Sequence, residues 1–339
     1  MNFALGAMIA SGNTLAAGGG GAPAAAAISP ETHFHPKGKP PSKHTLEVLE
    51  RARETLPFAD KRDFEEDAKG FIAAPDVWQI KNADGAVVWD MERYKFFLED
   101  KAYPSIHPSL QRQSTLNMNY GLYEVMEGVY QVRGFDLANI SFVKGDTGWI
   151  IFDPLTAEET ARAALELVNE KLGKFPVKAV VYSHSHGDHW GGVRGVVDEA
   201  DVRSGKVQII APRDFMLHTI SENVYAGNAM NRRLFYQYGI LLPASPFGHA
   251  GQGLAQNVAA GNVTLIAPSY VVEKDIEELT VDGVKMVFQN TPGTEAPSEM
   301  KTWFPDKKLL WTAENVTGTF HNIYTLRGAP VRDALRWSK

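Results

Sequence analysis

The sequence predicts an α/β layered domain over residues 116–339. Two observations lead to this fold class. Four short β-rich runs, separated by glycine-containing segments, follow one another between residues 122 and 152. A helical pattern that stops at Gly173 then precedes a continuous apolar run over residues 177–183. Strand, helix and buried strand in succession are typical of domains that layer helices on a sheet.

Residues 1–30 have the features of a signal-like, low-complexity leader. They carry no charged side chain, and the apolar run from Phe3 to Ala10 resembles a secretory signal without its usual basic start. We therefore expect a periplasmic or secreted protein. The alternative is a misplaced start codon before an Ala/Gly linker, which would leave the protein in the cytoplasm. The run is too short for the ~20 apolar residues of a membrane span, so no stable membrane span is expected.

Residues 31–115 are predicted to form an N-terminal extension with a helix and a β-hairpin. Leu46, Leu49 and Ala52 recur at helical spacing within the segment 44–67. Further along, Asp84-Gly85 separates two β-rich runs, and this dipeptide is favoured in the tight turns of hairpins.

Within the α/β domain, the sequence predicts four strands, then a helix and a further strand. The runs 122–125, 129–132, 140–143 and 149–152 predict a meander of adjacent antiparallel strands. Thr156 and Glu159 fit the T-x-x-E capping box of a helix start, and the apolar face of that helix continues to Gly173. The run 177–183 predicts a strand that is buried on both faces.

Composition excludes several classes of function. Lys+Arg 34 against Asp+Glu 40 give a net charge of −6, the wrong sign for a protein that binds nucleic acid through its phosphates. The sequence contains no cysteine, which removes disulfides, zinc–thiolate sites, iron–sulfur clusters and cysteine nucleophiles together. Any bound metal must therefore be held by His, Asp and Glu.

A dense cluster of metal-ligand residues follows the buried strand. It consists of His184, His186, Asp188 and His189. Two histidines separated by one small residue face the same way on an extended backbone, so His184 and His186 are suited to hold one ion. Asp188 and His189 follow a glycine that lets the chain turn, so they are suited to a second ion. Nitrogen and carboxylate ligands suit Zn²⁺ best, with Fe or Mn as alternatives.

The string His184-Ser185-His186-Gly187-Asp188-His189 resembles the H-x-H-x-D-H motif of the metallo-β-lactamase superfamily. The strand over residues 148–154, with Asp153 at its end, is similar to an early strand of that fold. The resemblance implies an αββα sandwich, preceded here by the N-terminal extension, with a binuclear metal site at one edge.

Downstream acidic residues indicate the branch of the superfamily. Most of its hydrolases offer a histidine and then a bridging aspartate, but no histidine lies between His249 and His321. Glu295 in T-P-G-T-E-A-P and Glu314 in T-A-E-N follow strand-like runs instead. This pair resembles the alkyl sulfatases, as do segments 120–125, 129–134, 222–230 and 324–329, so the resemblance covers roughly residues 40–339.

The alkyl sulfatase resemblance implies two zinc ions and a substrate class. One ion would be held by His184, His186 and Glu295, the other by Asp188 and His189, with Glu314 bridging both. The implied reaction is hydrolysis of alkyl sulfate esters, such as dodecyl sulfate, to alcohol and sulfate by a water activated by both metals, with Asp188 and Glu314 as catalytic residues.

A sulfate group requires fixed positive charge and hydrogen-bond donors. Arg327 is the first candidate by its place in the family-like run, followed by Arg232, Arg233 and Arg332. Asn228 and Asn322 either donate to sulfate oxygens or cap loops. His321 is either a general acid or a packed loop residue. Apolar material near Asn228 either lines a groove for the alkyl tail or belongs to a helix core; it comprises Met230, Phe235, Tyr236, Tyr238 and residues 241–243.

The sequence departs from the family in one respect. The alkyl sulfatases complete their metal set with a histidine further downstream, and here no histidine follows His321. The chain is therefore expected to be truncated, with one ion held weakly or lost. A family-like homodimer is expected only if a missing downstream segment is present. The alternatives are another hydrolase of the same fold, such as a lactonase, thioesterase or β-lactamase, or a non-catalytic metal-binding remnant.

Overall fold

The computed structural model describes residues 40–319 and 321–339, so the leader predicted over residues 1–30 lies outside the described residues. The strands in chain order are β1 (Phe71–Ala73), β2 (Gln79–Lys81), β3 (Val87–Asp90), β4 (Gly121–Met126), β5 (Val129–Arg133), β6 (Ile140–Lys144), β7 (Trp149–Phe152), β8 (Val177–Val181), β9 (Gln208–Pro212), β10 (Tyr270–Val272), β11 (Ile276–Val281), β12 (Val284–Asn290), β13 (Met300–Phe304) and β14 (Leu309–Trp311).

The α-helices among the described residues are α1 (Lys43–Thr55), α2 (Arg62–Asp67), α3 (Pro108–Leu116), α4 (Glu158–Leu172), α5 (Glu199–Arg203), α6 (Phe215–Ile220), α7 (Gly227–Tyr238) and α8 (Ala334–Trp337). Short 3₁₀ segments cover Glu92–Leu98, Gly187–His189 and Val193–Gly195, and a π-helical turn covers Ser221–Tyr225. Within the described ranges no helix has the length and apolar character needed to cross a membrane.

The larger sheet has eight strands in the order β1-β4-β5-β6-β7-β8-β9-β10. Neighbours from β1 to β7 are antiparallel, so the predicted meander over residues 122–152 is confirmed. The strands from β7 to β10 are parallel, and α4 forms the crossover that a parallel β7–β8 pair requires.

The helix predicted up to Gly173 is confirmed, but its predicted capping box is wrong. Ala157 precedes the first residue of α4 and offers no side-chain cap. The Thr156 hydroxyl instead donates to Asp136 (2.9 Å), and a carboxylate oxygen of Glu159 accepts the backbone N–H of Asn262 (2.8 Å). Both capping side chains are thus engaged by residues distant in sequence.

The second sheet, β11-β12-β13-β14, is antiparallel and packs face to face against the larger one. Phe152 and Val181 of the larger sheet share a buried cluster with Phe288 and Phe304 of the second sheet. Because side chains alternate along a strand, neighbours such as Ile151 point the other way, into a cluster that includes residues of α4. Helices, larger sheet and second sheet therefore form successive layers, which confirms the predicted α/β fold class.

The N-terminal region packs onto the same core. The helix predicted over residues 44–67 is in fact two helices, α1 and α2, because Pro57 lacks the N–H that a helix interior needs and Leu56 before it is extended. The predicted hairpin is confirmed as the antiparallel pair β2–β3. Trp89 of this hairpin is buried and donates its indole N–H to the carbonyl of Gly134 (2.7 Å). The domain boundaries at residues 30 and 115 stay predictions.

Candidate metal centre

The predicted ligand residues lie at strand ends of both sheets. His184, His186, Asp188 and His189 follow β8, Glu295 lies between β12 and β13, and Glu314 follows β14. Ala313, directly before Glu314, has a φ of 52°, a left-handed conformation that costs energy for any residue other than glycine. The backbone thus accepts local strain beside a predicted ligand.

Close packing holds the histidine loop in place. A Cβ atom on Gly192 would lie 2.2 Å from the carbonyl oxygen of Pro154, and one on Gly191 would lie 2.2 Å from that of Thr156. Only glycine fits such contacts, so the backbone of this loop packs directly against the segment that follows β7.

The first group of side chains converges on Glu295, which is 1% exposed. Its Oε2 atom lies 3.0 Å from Nδ1 of His186 and 3.3 Å from Nε2 of His184. Oε2 of Glu314 lies 3.6 Å from the same His184 nitrogen. One ligand atom from each of the four residues lies within 4.8 Å of all the others, a spacing that suits one ion.

The second group adjoins the first and shares Glu314. Nε2 of His189 lies 3.2 Å from Oδ2 of Asp188 and 3.5 Å from Oε2 of Glu314. These three side chains form a second set whose ligand atoms all lie within 4.8 Å of one another. The structure therefore brings together the six predicted ligand residues in the predicted division, and their role as ligands stays a proposal.

The donor atoms of this cluster fit a divalent metal. Nε2 of His184, Nε2 of His189 and Oε2 of Glu295 are buried, and none of them has a partner with hydrogen-bond geometry among the described residues. Buried polar atoms without partners are costly, yet here several of them face a shared position. Imidazole nitrogen and carboxylate oxygen are also the donors that suit zinc.

Asp153 and Ser183 set the tautomers of two histidines. The carboxylate of Asp153 accepts hydrogen bonds from Nδ1 of His189 and from the Ser183 hydroxyl (both 2.6 Å). Because that hydroxyl donates its proton to Asp153, it accepts one from Nδ1 of His184 (2.7 Å). When neutral, each ring therefore has its lone pair on Nε2, which is the form of histidine that binds metal.

The close packing of histidines and carboxylates in this cluster shifts their pKa values. Burial, together with the imidazoles of His189 and His186, holds the pKa of His184 well below its ordinary value. Burial also disfavours a charged His189, but Asp188, Asp153 and Glu314 outweigh it and hold the pKa of this histidine well above its ordinary value. A metal ion would replace the proton on His189, and its positive charge would be stabilised by the same carboxylates.

Arg332 supports Glu295 and orients His321. Its guanidinium donates to the backbone carbonyl of Glu295 (2.6 Å) and pairs with Oε1 of the same residue, leaving Oε2 for the cluster. It also donates to Nδ1 of His321 (3.1 Å). Since a guanidinium has no acceptor, Nδ1 of His321 must be unprotonated, and a neutral ring then carries its proton on Nε2. That nitrogen lies 3.6 Å from Glu295 and 3.8 Å from Glu314.

A cavity of about 540 Å³ opens onto the cluster. Of the predicted substrate residues, Arg327 and Asn322 line it, together with His321 and Arg332. Asn228 and Arg232 are exposed on α7 and are not among the described residues that line this cavity, so the structure does not bring these two residues to the centre. Their predicted role in binding sulfate stays a prediction.

Of the residues predicted to form either a groove or a helix core, some line the cavity, some are buried and some are exposed to solvent. Tyr238 lines the cavity, and burial raises its pKa to about 12. Met230 is buried, whereas Tyr236 is 91% exposed and Leu241 is 78% exposed.

Two further carboxylates, which no sequence pattern indicated, lie beside the predicted ligands. Glu222 pairs with Arg327, and its Oε2 lies 3.8 Å from Nε2 of His186. Glu299 is fully buried and accepts hydrogen bonds from the Thr294 hydroxyl and the Ala296 N–H, which shapes the loop that carries Glu295. The segment that includes Glu222 resembles the family, but this resemblance alone assigned the residue no role.

Comparison with known proteins identifies the class of protein. Residues 133–320 match the metallo-beta-lactamase superfamily, which is more than half of the chain. This chain belongs to the metallo-beta-lactamase superfamily, and the fold predicted from the histidine motif is confirmed. Members of the superfamily bind divalent metal, in agreement with the clustered side chains.

Within the superfamily the chain is similar to sulfatases, which confirms the predicted resemblance. It is 48% identical over 291 residues to alkyl/aryl-sulfatase BDS1 of Saccharomyces cerevisiae, covering 86% of this chain and 45% of that protein. It is also 48% identical over 302 residues to a linear primary-alkylsulfatase of a Pseudomonas species, covering 89% of this chain and 45% of the relative.

A solved structure shows the same similarity in three dimensions. The stereoselective inverting sec-alkylsulfatase Pisa1 from a Pseudomonas species superposes with a TM-score of 0.86 at 48% identity. The match covers 89% of this chain and 48% of that one. This chain thus spans less than half the length of the relatives it matches.

Proposed function

We propose that this chain hydrolyses alkyl sulfate esters to an alcohol and sulfate in a zinc-dependent reaction. The observation that carries the proposal is the convergence of Glu295 and Glu314 on the histidine cluster, beside a cavity lined by Arg327. The 48% identity to alkylsulfatases over most of the chain supports the same substrate class.

The residues of the cluster would hold the two metal ions and orient the attacking water. His184, His186, Glu295 and Glu314 would hold one zinc ion, and Asp188, His189 and Glu314 the other. When bound, the two ions would supply positive charge that lowers the pKa of a water molecule and stabilises developing negative charge. Asp188 and Glu314 line the cavity, where their carboxylates would accept hydrogen bonds from the attacking water and orient it.

Further residues that line the cavity would bind the sulfate ester. Arg327 is charged and planar, and its N–H groups match sulfate oxygens, while Asn322 adds an amide donor. His321, with its proton on Nε2, would donate a hydrogen bond within the same cavity and could protonate the leaving group. Water addition across the ester bond balances the reaction, giving alcohol and sulfate. A periplasmic or secreted location, supported by the apolar run after Met1, remains part of the proposal.

Zinc binding and substrate choice test the proposal together. Purified protein loaded with two equivalents of zinc should release sulfate from dodecyl sulfate and leave a β-lactam and a lactone intact. Opening of the β-lactam or lactone with no sulfate release would contradict the proposal. Weak binding of a single ion with no turnover would instead favour a metal-binding chain without catalysis.

The substitution Arg327→Lys should raise the KM for dodecyl sulfate by about 10-fold or more, because a charged hydrogen bond contributes ~1.5–3 kcal/mol. Lysine keeps a positive charge opposite Glu222 but lacks the planar fork of arginine. Steady-state kinetics measures the change. Arg203→Ala, an exposed arginine on α5, is the matched control and should leave KM unchanged. An unchanged KM in Arg327→Lys would remove this residue from sulfate binding.

A further inference from the structure

Glu222 is a buried carboxylate that the proposed function does not use. It lies in the π-helical turn Ser221–Tyr225 between α6 and α7, and it is 7% exposed. Its Oε1 atom pairs with Arg327, whereas Oε2 is buried and has no hydrogen-bond partner in the part of the chain that the structure describes. π-Helical turns are rare and occur often at functional sites, because the extra residue redirects side chains.

The unpartnered Oε2 atom faces one nitrogen of His186. The other nitrogen, Nδ1, lies 3.0 Å from Oε2 of Glu295, so the cluster side of this ring is Nδ1. Nε2 points away from Glu295 and lies 3.8 Å from Oε2 of Glu222. This distance is within the range of an ion pair and longer than a hydrogen bond, so the two groups face each other across a small gap.

Each of the three histidines that follow β8 has one ring nitrogen on the cluster side and the other facing an oxygen atom of another side chain. His184 and His189 each have Nε2 on the cluster side and Nδ1 bonded to Ser183 or Asp153. In His186 the two nitrogens are exchanged: Nδ1 is on the cluster side and Nε2 faces away from it. Glu222 occupies the position at Nε2 that Ser183 and Asp153 occupy at Nδ1 of the other two histidines. Metal-binding histidines commonly donate the second ring N–H to a carboxylate, which fixes the ring and raises its basicity.

We propose that Glu222 is a positioning residue that holds His186 through Nε2–H and Arg327 through its other oxygen. This inference rests on the proposed zinc site. A single carboxylate then links a metal ligand to the arginine proposed to bind sulfate. The first expected result is that Glu222→Gln lowers zinc affinity by about 10–100-fold, the usual effect of removing such a partner. Glutamine keeps the size of the side chain but removes the charge.

Competition with a chromophoric chelator measures zinc affinity without any need for turnover, and circular dichroism checks folding. Glu278→Gln is the matched control, because Glu278 is an exposed glutamate of β11 paired only with Lys285 among the described residues; its zinc affinity should equal that of the wild type. If Glu222→Gln folds and binds zinc as tightly as the wild type, the inference is wrong.

A second measurement uses the unaltered protein, so it does not depend on the folding of a variant. Side-chain ¹⁵N spectra of zinc-loaded, histidine-labelled protein should show one histidine bound through Nδ1 with a protonated Nε2, and two histidines bound through Nε2. Three histidines bound through Nε2 would overturn the inference. Wild-type protein that binds no zinc would defeat the proposed function and this inference together, whereas zinc binding and sulfate release with unaltered affinity in Glu222→Gln would defeat the inference alone.

Discussion

Replacing Glu314 with glutamine is expected to lower zinc affinity by more than ~100-fold, because loss of an outer partner alone costs 10–100-fold. Oε2 of Glu314 lies 3.6 Å from Nε2 of His184 and 3.5 Å from Nε2 of His189, so one oxygen serves both groups of ligands. Glutamine offers a neutral oxygen at best, which leaves the histidines without the shared negative charge. Sulfate release from dodecyl sulfate should fall below detection with the metal.

Zinc content per chain after dialysis, together with chelator competition, measures the effect of Glu314→Gln. Glu170→Gln is a suitable control, since Glu170 is an exposed residue of α4 that pairs with its neighbour Lys171. The control should retain the zinc content and turnover of the wild type. A Glu314→Gln protein that still holds two ions with wild-type affinity would show that this residue is not a bridging ligand.

The second large effect is expected at Asp136, which is 1% exposed. Its carboxylate accepts the hydroxyl of Thr160 (2.7 Å), both the hydroxyl and the N–H of Thr156 (2.9 and 3.1 Å), and the N–H of Ala259 (3.2 Å). It thereby holds the start of α4 against a distant loop. Burial raises the pKa of this carboxyl, and the hydrogen bond from Thr160 is the largest opposing influence.

The substitution Asp136→Asn should therefore lower the free energy of unfolding by about 3 kcal/mol or more, because several buried donors would each lose an acceptor at ~1–3 kcal/mol. Asparagine has the same size but places an NH₂ group where donors already point. Urea denaturation followed by circular dichroism measures the loss. Asp84→Asn in the exposed hairpin turn is the control, and a midpoint shared by both variants and the wild type would contradict the prediction.

Short sequence patterns predicted the structure correctly where neighbouring residues in the chain determine it. Asp84-Gly85 marks the turn of a real hairpin, and the spacing of His184, His186, Asp188 and His189 predicts residues that do converge. The strand-like runs before Glu295 and Glu314 also place both carboxylates at strand ends. Near neighbours in the chain determine each of these features.

The capping-box prediction failed because of a contact outside its own segment. Thr156 has the right neighbours for a capping box, but Asp136 engages its hydroxyl and so prevents the cap. Arg327, ranked first from the sequence, lines the cavity, whereas Arg232 is exposed on α7; this difference depends on how separate segments pack. The positions of Glu222 and Arg332 beside the ligands likewise depend on how separate segments pack.

The cluster draws its side chains from the loops of both sheets, and the facing sides of these sheets share a buried apolar cluster. An ion held by His184 and Glu295 would therefore fasten one layer of the sandwich to the other. A ligand that binds only the folded state adds stability according to its concentration, about 2.7 kcal/mol at 100 times its dissociation constant. The melting temperature of this protein would then report on the free zinc around it, so the strength of the sandwich would depend on its surroundings as well as on its sequence.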